Sequence, residues 1–133
     1  MNIFHIIVLT LSGLAMFYAS YSRLFKPASA VFLKNYVNDP SRNQGNHPDV
    51  YNEVRGVGAV MVLGGIVCLL GALWEDIRFT SFVVACVIFM GVVVGRLVSI
   101  AIDGIPAKEL LSIFYVELFI GVLNVFCLSL MLM

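Results

Sequence analysis

The sequence predicts an all-α membrane protein, a four-transmembrane-helix up-down bundle with a short interfacial helix in the first loop, formed as a single domain over residues 1–133. Three observations point there. Hydrophobic residues make up 61% of the chain and charged residues 12%, against about 45–50% and about 25% in soluble domains. A chain of this size cannot hide that much apolar surface from water, so the bilayer must solvate it. The apolar residues also fall into four runs, each near the ~20 residues that cross a hydrocarbon core. The links between the last three runs are only a few residues long, which makes those helices antiparallel neighbours.

The first run, Met1–Tyr21, has no basic residue ahead of it and so lacks the charged start of a cleavable signal peptide. It reads as a retained helix closed by Arg23 and Lys26. Pro27–Asn38 follows, with Pro27 suited to a first helical turn. Phe32, Leu33, Tyr36 and Val37 fall on one side of that segment and Lys34, Asn35 and Asn38 on the other, the pattern of a helix lying in the membrane interface. A plain loop is the alternative. Asp39–Asp49 is rich in turn formers and is expected as a solvated loop. His47 beside Asp49 reads there as a solvated side chain rather than a metal ligand.

The second span, Tyr51–Trp74, carries no charge from Gly56 onward, and Trp74 stands where an interfacial aromatic belongs. Gly58, Gly65 and Ala72 recur every seven residues, and small residues in register let another helix approach closely. After the short turn Glu75–Arg78 comes the third span, Phe79–Ile102, with Gly91-x-x-x-Gly95 as a second close-packing signal. Gly58, Gly65, Gly91 and Gly95 are therefore expected at helix contacts. Gly104 and Pro106 punctuate the chain before the fourth span, Ala107–Met133, in which Glu117 and Asn124 share a face.

The charges sort by side. Arg23, Lys26, Lys34, Arg42, Arg55, Arg96 and Lys108 fall on one side and Arg78 alone on the other, so the first group faces the cytoplasm and both termini face the periplasm. Glu53 and Arg55 then lie at the cytoplasmic mouth of the second helix. Arg96, Ser99 and Asp103, three and four residues apart, share a face at the cytoplasmic end of the third. Glu117 lies roughly 16 Å inward of Pro106, near mid-bilayer. A carboxylate at that depth costs about 2.5–3.5 kcal/mol on insertion scales unless it is protonated, paired or wet. Arg96 is the natural counter-charge, because its planar fork fits a carboxylate, and it is expected to contact Glu53, Glu117 or both. The candidate cluster is thus Glu53, Arg55, Arg96, Ser99, Asp103, Glu117 and Asn124. It reads either as a lock that fixes helix packing or as a polar pocket open to the cytoplasmic leaflet.

E-x-R-G opening the second helix, G-R-x-x-S-x-x-x-D-G-x-P ending the third and a Glu in the fourth form a combined pattern: Glu53, Arg55, Gly56, Gly95, Arg96, Ser99, Asp103, Gly104, Pro106 and Glu117. Over roughly Tyr51–Asn124 the chain resembles a bacterial family of small four-helix inner-membrane proteins, classed as a domain of unknown function and distantly similar to the DoxX-like group. The resemblance implies the fold, the bacterial inner membrane and a role in envelope maintenance, and no established chemistry.

Three functions remain open from sequence. The first is an envelope protein binding a membrane lipid or small amphiphile in its polar-lined bundle. The second is a structural or regulatory subunit of a larger membrane complex, using its glycine-rich faces. The third is a small oligomeric transporter using Glu117. An enzyme is not expected, because no nucleophile with a base, metal-ligand set or cofactor motif stands out. Cys68, Cys86 and Cys127 lie far apart in apolar runs and read as small buried hydrophobes. With a net charge of zero, nothing points to nucleic acid.

Overall fold

The computed structural model describes residues 2–27, 30, 33 and 47–133. Among these residues, four long helices carry the fold: α1 (Asn2–Phe25), α2 (His47–Leu73), α3 (Arg78–Asp103) and α4 (Lys108–Leu132). A single 3-10 turn, Glu75–Ile77, joins α2 to α3. All four helices are long and apolar enough to cross a membrane. At 24 to 27 residues, each is about 36–40 Å long, more than the roughly 30 Å hydrocarbon core.

The element boundaries refine the expected spans. α1 runs on to Phe25, so Arg23 sits inside its last turn instead of beyond it. α2 begins at His47, so the end of the expected loop, His47–Asp49, is its first turn. Pro48 fits there because its missing N–H has no intrahelical partner to lose, and Asp49 complements the positive end of the helix dipole. The expected interfacial helix over Pro27–Asn38 lies largely outside the described residues. Pro27, Ala30 and Leu33 are described and are buried.

α1 packs most extensively on α2, α3 on α4, and α2 on α3. Backbones come close where glycines face each other. A Cβ on Gly65 would lie 3.1 Å from the Gly13 carbonyl oxygen, and one on Gly58 would lie 3.0 Å from Arg23 Cβ. The α2–α3 seam closes where Gly71 meets Ser81. Between the helices lies a core that includes Leu9, Met16, Met61, Cys68, Phe82, Ala85, Phe89 and Cys127. Large apolar side chains such as Ile7, Leu14, Leu63, Val87 and Phe119 point outward, as expected of helices solvated by lipid.

The turns are built to spare helix ends. Arg78, expected as an isolated charge in the turn, is buried at the start of α3. Its Nε donates to the Gly71 carbonyl at 3.0 Å, satisfying one of the orphan acceptors at the end of α2. Gly104 ends α3 with φ of +96°, a conformation that a side chain would strain.

Candidate functional site

α4 presents its buried stripe, Phe114, Glu117, Gly121, Asn124 and Cys127, to the other helices. The three- and four-residue steps keep these on one face. Glu117 is 8% exposed. Its partner comes from α3: Arg96 Nε donates to Glu117 Oε2 at 2.5 Å, and Nη2 donates to Oε1 at 3.0 Å. This two-pronged geometry fixes both position and plane of the carboxylate. The Arg96 side chain remains 23% exposed and that of Glu117 10%, so the ion pair is largely removed from solvent. Pairing offsets the penalty that a lone carboxylate would suffer at this depth.

A third charge joins from α1. Arg23 donates through Nη1 to the Ala19 carbonyl at 2.5 Å and lies within electrostatic reach of Glu117 and Arg96. Arg55 of α2 donates to the Leu24 carbonyl near the end of α1. Charged groups of all four helices, Arg23, Arg55, Arg96 and Glu117, thus gather toward the last turn of α1.

Beside them lies a cavity of about 570 Å³ between α1 and α4, with α3 behind it. Ala15, Met16, Ala19, Phe89, Val92 and Ile120 give it apolar walls, and Ser22, Arg23, Ser112 and Glu117 supply its polar groups. α1 and α4 touch beside the cleft, next to its Ala15 and Ile120 walls. Where they meet, Asn124 Nδ2 donates to Ser12 Oγ at 2.8 Å, and Phe4 and Phe126 pack edge to face at 6.5 Å. Ser12 donates its own proton to the Val8 carbonyl. Asn124 is fully buried, and its Oδ1 has no hydrogen-bond partner among the described residues.

The remaining sequence candidates lie elsewhere. Glu53 is exposed and lines a shallow depression on α2 with Asn52 and Gly56, so Arg96 meets Glu117 and not Glu53. Ser99 donates to Asp103 Oδ2 at 3.0 Å across one exposed helical turn, which satisfies both without a second helix. Arg55 is exposed and serves the end of α1. Gly58 and Gly65 stand at the α1 contact. Gly91 and Gly95, also expected at contacts, are exposed, and a methyl group added at either would meet nothing within 4 Å. Their GxxxG spacing marks a face without saying which helix covers it. Among the described residues, no group of three His, Cys, Asp or Glu is placed to hold a metal ion.

A family model for a domain of unknown function, DUF4345, matches residues 4–128, nearly the whole chain. The chain belongs to the DUF4345 family. No curated protein and no solved structure matches it. The DUF4345 match takes in α1 as well as the three later helices, so it covers both walls of the cleft, its two charged lining residues Arg23 and Glu117, and Arg96 that pairs with Glu117. Sequence alone gave Arg23 no role in the cluster, because an Arg just past an apolar run resembles an ordinary interfacial anchor. A signal was present nonetheless, since no proline interrupts the chain before Pro27 and the helix can therefore carry Arg23 inside its last turn.

Proposed function

We propose that this DUF4345 chain is a bacterial inner-membrane protein of the cell envelope that holds a lipid or small amphiphile between α1 and α4, in support of envelope maintenance. The observation that carries the reading is the cavity of about 570 Å³, apolar along its walls and charged at one end. Its size falls within the roughly 300–1,000 Å³ of ordinary ligand sites, which combine mostly apolar walls with a few placed polar groups. An amphiphile has the matching division into tail and head. The Arg96–Glu117 fork plays two parts in this reading. It joins α3 to α4 and holds a carboxylate at the cleft wall. The uneven distribution of Lys and Arg supports placing this charged end toward the cytoplasm, with both termini periplasmic. The resemblance noted from sequence supports the bacterial envelope.

Native mass spectrometry on protein extracted in mild detergent tests the reading. The wild-type chain is expected to carry one amphiphile per chain. Ala19→Phe, which fills the cleft, is expected to lose it while keeping its helical content. Equal retention by both proteins would place the bound molecules on the outer surface and remove the basis of the proposal.

A second reading, a subunit of a larger membrane complex, is favoured by the open Gly91–Gly95 face of α3. Glycines there allow another helix to approach closely. Co-purification of a partner that Gly95→Leu releases would support it.

A further inference from the structure

Resting on the reading of the α1/α4 cleft as an amphiphile site, we infer that it holds an acyl chain bent about ten carbons from its head, that of a cis-monounsaturated lipid, in preference to a straight chain of the same length. Depth, mouth, width and wall stiffness converge on this shape.

The cleft has a floor. Its α1 wall runs from Ala15 to Arg23 and its α4 wall from Ser112 to Ile120. Each wall covers eight helical steps, about 12 Å. Among the described residues, none on α1 before Ala15 and none on α4 after Ile120 lines the cleft. Just past those two residues, Asn124 Nδ2 donates to Ser12 Oγ at 2.8 Å, and both side chains are fully buried. An acyl chain cannot pass between helices joined in this way.

Ser22, Arg23 and Ser112 line the end opposite the floor. Glu117 lies part-way along, engaged by Arg96. An amphiphile therefore keeps its head at the Ser22 and Ser112 level and extends its tail toward Ser12 and Asn124. An extended chain advances about 3.3–3.6 Å over three bonds, so about ten carbons reach the floor. A longer chain must turn there.

The way out is sideways. Tyr18 of α1 and Val116 of α4 line the cleft midway along its walls and are 88% and 57% exposed. Both lie within helices long enough to span a membrane. The cleft is thus open to lipid along its side and closed at its floor.

Width points to the same shape. A volume of about 570 Å³ over about 12 Å gives a mean cross-section of about 50 Å². A straight polymethylene chain is only about 4–5 Å across, from carbon contacts of about 3.5–4.0 Å, and would fill less than half of that section. A chain that turns inside the cleft places two stretches side by side and regains the missing dispersion contacts.

Stiff walls hold this shape. Ala15 and Ala19 have no rotamers to adjust, and Ile88, Val92, Val116 and Ile120 are β-branched, with one strongly preferred χ1 in a helix. A ligand already bent to fit binds with less ordering cost than one that must be bent on entry. A cis double bond between the ninth and tenth carbons supplies its bend at the depth of the floor.

The test uses the full chain in nanodiscs of dimyristoylphosphatidylcholine, whose tails are saturated. Stearic, oleic, elaidic and petroselinic acids serve as probes at equal mole fraction in the bilayer. All four share one head and one carbon number, so head charge cancels from the comparison. Oleate is expected to bind one per chain and roughly two- to ten-fold tighter than stearate, the range that one avoided ordering step gives. Elaidate, whose trans double bond is rigid and straight at the turn, is expected to bind weakest. Petroselinate, bent at its sixth carbon, should fall below oleate. Ala19→Phe should weaken all four. Equal binding of oleate and elaidate by the wild-type chain overturns the bent chain while leaving the cleft as an amphiphile site. Equal binding of oleate and petroselinate overturns the floor as the feature that sets the bend. Unchanged binding of all four by Ala19→Phe overturns the cleft itself. The comparison of isomers needs no variant, so poor folding of Ala19→Phe leaves the inference open to refutation.

Discussion

Replacing Arg96 with alanine breaks both arms of the fork to Glu117, at 2.5 and 3.0 Å, in one step. The carboxylate left behind has a side chain only 10% exposed and lies inside a membrane-length helix. Removing one partner of a buried ion pair costs about 3–5 kcal/mol. The Arg96 side chain is nearly a quarter exposed, and Arg23 offers Glu117 a second positive charge from α1. Both effects soften the loss, so the expected cost is near the lower bound, about 3 kcal/mol. Glu117→Gln keeps the shape and one acceptor but leaves Arg96 without its counter-charge, and is expected to cost about 1.5–3 kcal/mol. Combining the two changes leaves neither charge stranded. The double variant should therefore be more stable than the sum of the single losses, by roughly 1–3 kcal/mol. Arg96→Lys should fall between wild type and Arg96→Ala, because an ammonium cannot make two parallel bonds. Unfolding in mixed micelles, followed by circular dichroism for wild type, both single variants and the double variant, yields the cycle. Additivity within about 0.5 kcal/mol would show that the pair contributes nothing specific to the fold and would refute the reasoning.

Three further outcomes are expected. Gly65→Leu should destabilise the bundle by more than about 2 kcal/mol through overpacking, because its first carbon would press on the Gly13 carbonyl, whereas Gly95→Leu should stay within about 0.5 kcal/mol in detergent; thermal melts compare them, and equal losses would contradict the packing described. Asn124→Ala should cost about 1 kcal/mol for the lost bond to Ser12 and should loosen the blind end of the cleft, read as faster hydrogen exchange in Leu9–Ser12 and Ile120–Asn124. A reporter fused after Met133 should read as periplasmic and one inserted at Gly45 as cytoplasmic, following the distribution of Lys and Arg; the reverse would put the charged end of the cleft in the outer leaflet.

The spans were legible because hydropathy and length are local properties. Each helix appears within a few residues of its expected position, and the differences fall at ends where a turn of polar residues can continue an apolar helix, as His47–Asp49 does. The Arg96–Glu117 contact was legible for another reason. A buried acid needs a cation, and topology left Arg96 at a compatible depth on the next helix. The same logic overreached with Glu53, Ser99 and Asp103, which are exposed; Ser99 and Asp103 satisfy each other one turn apart. Charge balance within a membrane binds only those groups that the packing removes from solvent, and burial depends on helix rotation, which a two-residue change in phase alters. A polar pocket was expected from sequence, but its place between α1 and α4 was not legible. Its walls come from two helices far apart in the chain, which meet at the Ser12–Asn124 bond.

The claim that the α1/α4 cleft holds an acyl chain is tested most directly by photo-cross-linking in the bilayer. A fatty acid carrying a diazirine on its chain would be delivered to the protein in phosphatidylcholine vesicles, and the adducts mapped by peptide mass spectrometry. Labelling is expected to concentrate on the facing walls, Ala15–Ala19 of α1 and Ile113–Ile120 of α4, and to fall with excess unlabelled oleate. Labelling spread evenly over outward residues such as Leu63, Val87 and Phe119, with no competition by oleate, would contradict it.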